Sequence, residues 1–107
     1  MQYGLSDRTI ADLQTVFRNQ ANIRQVLIFG SRAKGNYRPG SDIDLALVGD
    51  GITLKQRNEL LHRFDDMGIL YKIDLVDYNK KIGTPIGDHI NRVGQVLYSA
   101  TNENVTT

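Results

Sequence analysis

The chain has 107 residues, 40% of them hydrophobic, with 13 basic and 12 acidic side chains and a formal net charge of +1. That suits one small globular domain with a single core, residues 1–100, and a near-neutral balance argues against bulk nucleic-acid binding. With no cysteine, disulfides and thiolate zinc sites are excluded, and His62 and His89, the two histidines, lie far apart in sequence, which argues against a histidine-rich zinc site.

Leu5-Ser6-Asp7 reads as a helix start with Ser6 as N-cap and a Leu5–Ile10 staple. Ile10, Leu13, Val16 and Phe17 recur at helical spacing, and Asn19 to Asn22 ends the helix. Val26 to Phe29 is a short strand stopped by Gly30. Ser31 to Asn36 is a helical turn, and Tyr37-Arg38-Pro39-Gly40 a loop.

Asp42 to Val48 alternates as a strand. Ile43, Leu45 and Leu47 face one way; Asp42, Asp44 and Ala46 face the other. Gly49-Asp50-Gly51 closes it. Thr53 and Gln56 fit a capping box for a helix with the stripe Leu54, Leu60, Leu61, Phe64 and Met67, ended by Gly68. Ile69 to Val76 is a third strand carrying Asp74, with Asp77 as a turn residue beyond it. Thr84-Pro85 starts a last helix with Ile86, Ile90 and Val93 inward. Val96 to Tyr98 is a short strand or simply packs. Residues 101–107 are polar and expected to fray. No apolar run is long enough to span a bilayer, and MQYGLSDRT lacks the pattern of a signal peptide, so the cytosol is the expected location. Helices alternating with strands imply an α/β (α+β) domain, a small sheet flanked by helices.

The chemistry lies between Leu27 and Val48, LIFGSRAKGNYRPGSDIDLALV. Asp42 and Asp44 project from one strand face, and Asp74 comes from another strand. Hard carboxylate oxygens in that pattern suit two magnesium ions about 4 Å apart, which activate an attacking oxygen and neutralise a pyrophosphate leaving group. Manganese suits the same donors. Gly30 lets backbone approach a triphosphate, and Ser31 adds a hydroxyl. Arg32 and Lys34 are candidates for its negative charge. Each feature alone has an ordinary reading: Asp-x-Asp as a solvated strand face, Arg32 and Lys34 as surface charge, Tyr37, Arg38, Ser41, Asp65 and Asp66 as loop or helix-end residues, His62 and His89 as surface or partly buried imidazoles.

The conjunction of strand, Gly30-Ser31, Asp42-x-Asp44 and a later strand Asp74 resembles the nucleotidyltransferase superfamily related to DNA polymerase β. GSRAKG and GSDIDLAL in so short a chain resemble its minimal nucleotidyltransferase (MNT) family, by motif from about Val26 to Asp77. The resemblance implies a mixed sheet flanked by helices, Gly30 and Ser31 on the triphosphate, and Asp42, Asp44 and Asp74 on magnesium. It further implies a helical partner encoded by the adjacent gene. That partner is either a HEPN-type ribonuclease toxin, which an antitoxin inactivates by moving AMP from ATP to a tyrosine hydroxyl, or a helical substrate-binding subunit. Two rival readings stay open: a non-catalytic nucleotide- or partner-binding subunit, and a transferase acting on RNA or a small molecule. Base preference, the number of nucleotides added and the oligomeric state are not legible.

Overall fold

The computed structural model describes residues 2–100; the expected frayed tail, 101–107, lies outside the described residues. Ser6 accepts a hydrogen bond from the Thr9 N–H at 3.1 Å and starts α1 (Asp7–Arg18), whose Ile10, Leu13, Val16 and Phe17 are buried. The side-chain cap satisfies one of the N–H groups that a helix start leaves open.

The strand after it, β1 (Ile23–Phe29), begins three residues earlier than expected. Ile23 is buried and pairs with Gly49, which draws the intervening Arg24 and Gln25 into the strand. A short helix, α2 (Gly30–Lys34), leads to the loop before β2 (Ile43–Gly49). Strands β1 and β2 are antiparallel, with Phe29 opposite Asp44.

Helix α3 (Leu54–Asp66) is capped by Thr53, which accepts from the Gln56 N–H at 3.0 Å. The expected capping box is only half formed. The Gln56 side chain turns instead to Gln20 and Asn22. Leu60 and Phe64 are buried, whereas Leu54 and Met67 at the helix ends are exposed.

The third strand, β3 (Ile73–Asp77), is shorter than Ile69 to Val76. Gly68 turns the chain at φ +78° after α3, Leu70 in the connecting segment is 96% exposed, and the ladder with β2 begins only at Ile73. Strand β3 runs parallel to β2 with Asp44 opposite Asp74. Parallel neighbours need a long crossover, and α3 supplies it. Asp77 is a buried N-cap, not a loose turn residue: its carboxylate accepts from the Asn79 N–H and starts α4 (Tyr78–Lys81). Thr84 caps α5 (Pro85–Val93). In α5 the inward residues are Gly87, Ile90 and Val93, and Ile86 is exposed. Strand β4 (Gln95–Ser99) pairs antiparallel with β1.

The result is one mixed sheet in the order β3-β2-β1-β4. Helices α1 and α3 cover one face; Phe17 and Phe64 meet there edge to face at 5.7 Å over Ile28, Leu45 and Leu47. Helix α5 covers part of the other face, where Phe29, Ala46 and Ile90 form a smaller cluster. The uncovered part of that second face carries the carboxylates. Among the described residues no helix is long and apolar enough to cross a membrane. Leu60 lies 1% exposed in the larger core, so Leu60→Ala is expected to cost about 2–5 kcal/mol in chemical denaturation, with the m-value unchanged.

Candidate active site

Alternation along β2 sends Ile43, Leu45 and Leu47 into the larger core and leaves Asp44 and Ala46 on the opposite face. Asp42 sits one residue before β2, at the end of the loop from α2. The parallel ladder sets Asp74 directly across from Asp44. Asp42 and Asp74 are exposed and Asp44 is half-buried.

These carboxylates feel one another. Burial first, then the negative charges of Asp74 and Asp42, push the Asp44 carboxyl above its ordinary range, while His89 on α5 pulls it partly back. In sequence His89 has the look of an ordinary imidazole, yet α5 brings it to the site, edge-on to Phe29 at 6.1 Å between ring centroids. No local pattern announces this, because His89 and Asp44 are joined only by the packing of α5 on the sheet. Among the described residues no three His, Cys, Asp or Glu side chains close into a metal cage. The three aspartates share a face and a field without forming a finished cluster.

The raised Asp44 pKa has a consequence for stability. The folded chain holds this proton more tightly than the unfolded chain. Stability linked to Asp44 is therefore fullest in acid and is lost as pH rises from the ordinary carboxylate value to the raised one. At neutral pH the charge is a burden, so Asp44→Asn is expected to raise Tm. With chelator present the gain should shrink as pH falls and vanish below about pH 4, roughly the ordinary carboxylate pKa. A calorimetric pH series reads it directly.

Gly30 lies at the β1–α2 junction with φ +72°, and a Cβ there would run into the Asp44 carboxylate. The turn and the acid therefore touch, although they are far apart in sequence. Side chains cap α1, α3, α4 and α5, whereas no side chain caps α2. Its first N–H groups are suited to phosphate oxygens. Ser31 is half-buried beside them and Lys34 is exposed in the last turn.

Arg32 departs from expectation. The sequence pairs it with Lys34 as a phosphate ligand, but its side chain is buried and its guanidinium donates to backbone carbonyls of Tyr3, Pro39 and Ser41. Those bonds hold the guanidinium inside the fold. Tyr37 lies over it, so the ring has a neighbour within the chain. Arg38 is exposed, and its N–H donates to the Ser41 hydroxyl. His62 is exposed on α3, on the far side of the sheet from the aspartates.

The family model for "Polymerase beta, Nucleotidyltransferase" matches residues 11–103. A relative from Methanocaldococcus jannaschii, named as a candidate protein adenylyltransferase, is 30% identical over 86 residues, covering 78% of this chain and 85% of its own length. Among solved structures, a toxin–antitoxin complex with AMP-PNP contains a similar chain with a TM-score of 0.70 at 21% identity, covering 91% of this chain and 78% of that one. Another is the complex of an MNT antitoxin with a tri-AMPylated HEPN toxin from Shewanella oneidensis. There the TM-score is 0.58 at 20% identity, with 92% of this chain and 74% of that one covered. At these identities the two structures speak for the fold.

Proposed function

The chain belongs to the polymerase beta nucleotidyltransferase family, and we propose that it moves AMP from ATP to a tyrosine hydroxyl of a helical partner protein, acting as antitoxin to a HEPN-type ribonuclease. One observation carries the catalytic part: Asp44 stands opposite Asp74 across the β2–β3 ladder while its carboxylate rests on Gly30. That contact joins an acidic face to the turn suited to phosphates. The protein acceptor rests on the relatives. One is named as a candidate protein adenylyltransferase, and another sits in complex with an AMPylated HEPN toxin.

The donor set fits magnesium. It offers hard oxygens on one face, two of the three carboxylates exposed, with a mutual repulsion that a divalent cation relieves. Asp42 and Asp44 would hold both ions and Asp74 the one nearer the acceptor; manganese suits the same oxygens. When bound, the metal stabilises the charge that builds up on the α-phosphate and pyrophosphate. The residues of the chain itself do the rest. The α2 N-terminus and Ser31 hold the triphosphate, and Lys34 offsets its charge. The tyrosine oxygen forms a bond to the α-phosphorus as the bond to pyrophosphate breaks, and the phenolic proton leaves toward Asp74 and solvent.

The test is mass spectrometry of the adjacent gene's product after incubation with this protein, ATP and magnesium. The expected result is a mass increment of one or more AMP groups, mapped to tyrosine. An unmodified partner that is nevertheless bound and neutralised would overturn the reading.

A further inference from the structure

Arg32 is 2% exposed, a level of burial that charged side chains rarely reach without compensation. Its partners are carbonyls rather than carboxylates. Nη1 donates to the Tyr3 carbonyl at 2.8 Å. Nη2 and Nε both donate to the Ser41 carbonyl, at 2.9 and 3.2 Å. Nη2 also reaches the Pro39 carbonyl at 3.4 Å. The Tyr37 and Tyr71 rings lie 5.3 and 4.9 Å from its central carbon. Burying a cation is costly, and only a planar fork with several donors can recover that cost from scattered carbonyls and ring faces.

What the fork ties together is the catalytic framework. Arg32 itself belongs to α2, directly after Gly30-Ser31. The Ser41 carbonyl is half of the peptide that leads into Asp42. The turn there is closed by Ser41 N–H donating to the Arg38 carbonyl at 3.0 Å. Tyr71 stands two residues before β3, the strand that carries Asp74. The N-terminal turn is bound in as well: Tyr3 holds a left-handed φ of 57° and Gly4 one of 71°, and a Cβ on Gly4 would press into Tyr37 and Arg32.

We propose that Arg32 is a positioning residue: its buried guanidinium fixes the Arg38–Ser41 turn, and through it Asp42, against the phosphate-binding turn. This rests on the nucleotidyl-transfer reading for its catalytic consequence, but the clamp itself can be tested apart from it. Lysine, a point charge on a flexible stem, cannot hold the Tyr3 and Ser41 carbonyls together.

The experiment compares Arg32→Lys with Leu60→Val, a mild cut in the remote core, at a temperature where both are folded. Arg32→Lys is expected to lower kcat about 10–100-fold with little change in KM for ATP, the scale typical of groups that orient metal ligands. Backbone amides of residues 38–44 should exchange with deuterium faster, whereas Leu60→Val leaves both kcat and that segment unchanged. Wild-type kcat, unchanged exchange at 38–44, or the same pattern in Leu60→Val would each overturn the proposal. If the wild type transfers no AMP, the functional reading fails while the exchange comparison still decides the clamp. Should Arg32→Lys not fold, Tyr71→Leu removes one ring and leaves the carbonyl bonds, and the same comparison applies on a smaller scale.

Discussion

Replacing Asp42 and Asp44 together by Asn is expected to reduce AMP transfer by ~10³-fold or more, because in the proposed reaction these carboxylates would hold the divalent cations that offset the charge building up on the phosphates. The two side chains lie on one face of β2 and at its entrance, outside the larger core. The fold should therefore survive. At Asp44 the change also relieves the burial of a charge and its crowding by Asp74 and Asp42, which together raise its pKa. The expected signature is a dead enzyme with an equal or higher Tm and undiminished partner binding. This result separates catalysis from the rival role of a non-catalytic binding subunit. If the double variant still neutralises its partner as well as the wild type does, inactivation works by binding alone.

Gly30→Ala should come next in severity. Two costs are separable at this position. The first is conformational: an L-residue at φ +72° is strained by about 1–2 kcal/mol. The second is steric, since the new Cβ meets the Asp44 carboxylate. The tip of a side chain yields easily, so the collision adds little to instability but moves the acid. A displacement near 1 Å in a reacting geometry can cost roughly 100-fold in rate. Gly51 is the control. It has φ +61°, and nothing lies within 4 Å of the place a methyl group would take. Gly51→Ala should show a comparable drop in Tm with normal turnover, and Gly30→Ala the same drop with turnover lowered roughly 100-fold. Equal turnover in the two variants would mean that the contact between Gly30 and Asp44 carries no catalytic weight.

Sequence and structure agree where the physics is local. Ser6, Thr53 and Thr84 each cap a helix through a hydrogen bond reaching three residues ahead. The alternation from Asp42 to Val48 places Asp44 and Ala46 on the face away from the larger core, because a strand's two faces follow from its sequence alone. The departures have long-range causes. Arg32 looks like Lys34 in GSRAK, yet its acceptors lie as far as 29 residues away, and only the closed fold turns it inward. Ile69 and Leu70 are good strand formers, but a strand needs a partner, and β2 begins to pair with β3 only at Ile43 and Ile73. Helix α4 has four residues and one cap, Asp77, too brief a segment for periodicity to show. His89 reaches Asp44 through packing of α5 on β1 and α2, which no spacing rule encodes.

In the proposed reaction the α-phosphate with its nucleoside, and not the terminal phosphate, moves to a protein. Parallel incubations with ATP labelled at the α- or the γ-phosphate, in the presence of magnesium and the adjacent gene's product, distinguish the two transfers. The expected result is label on the partner from α-labelled ATP alone, with pyrophosphate released and no label in the Asp42→Asn/Asp44→Asn form. Label from γ-labelled ATP, or a partner that is bound and silenced without label from either, would refute AMP transfer as the way this protein acts.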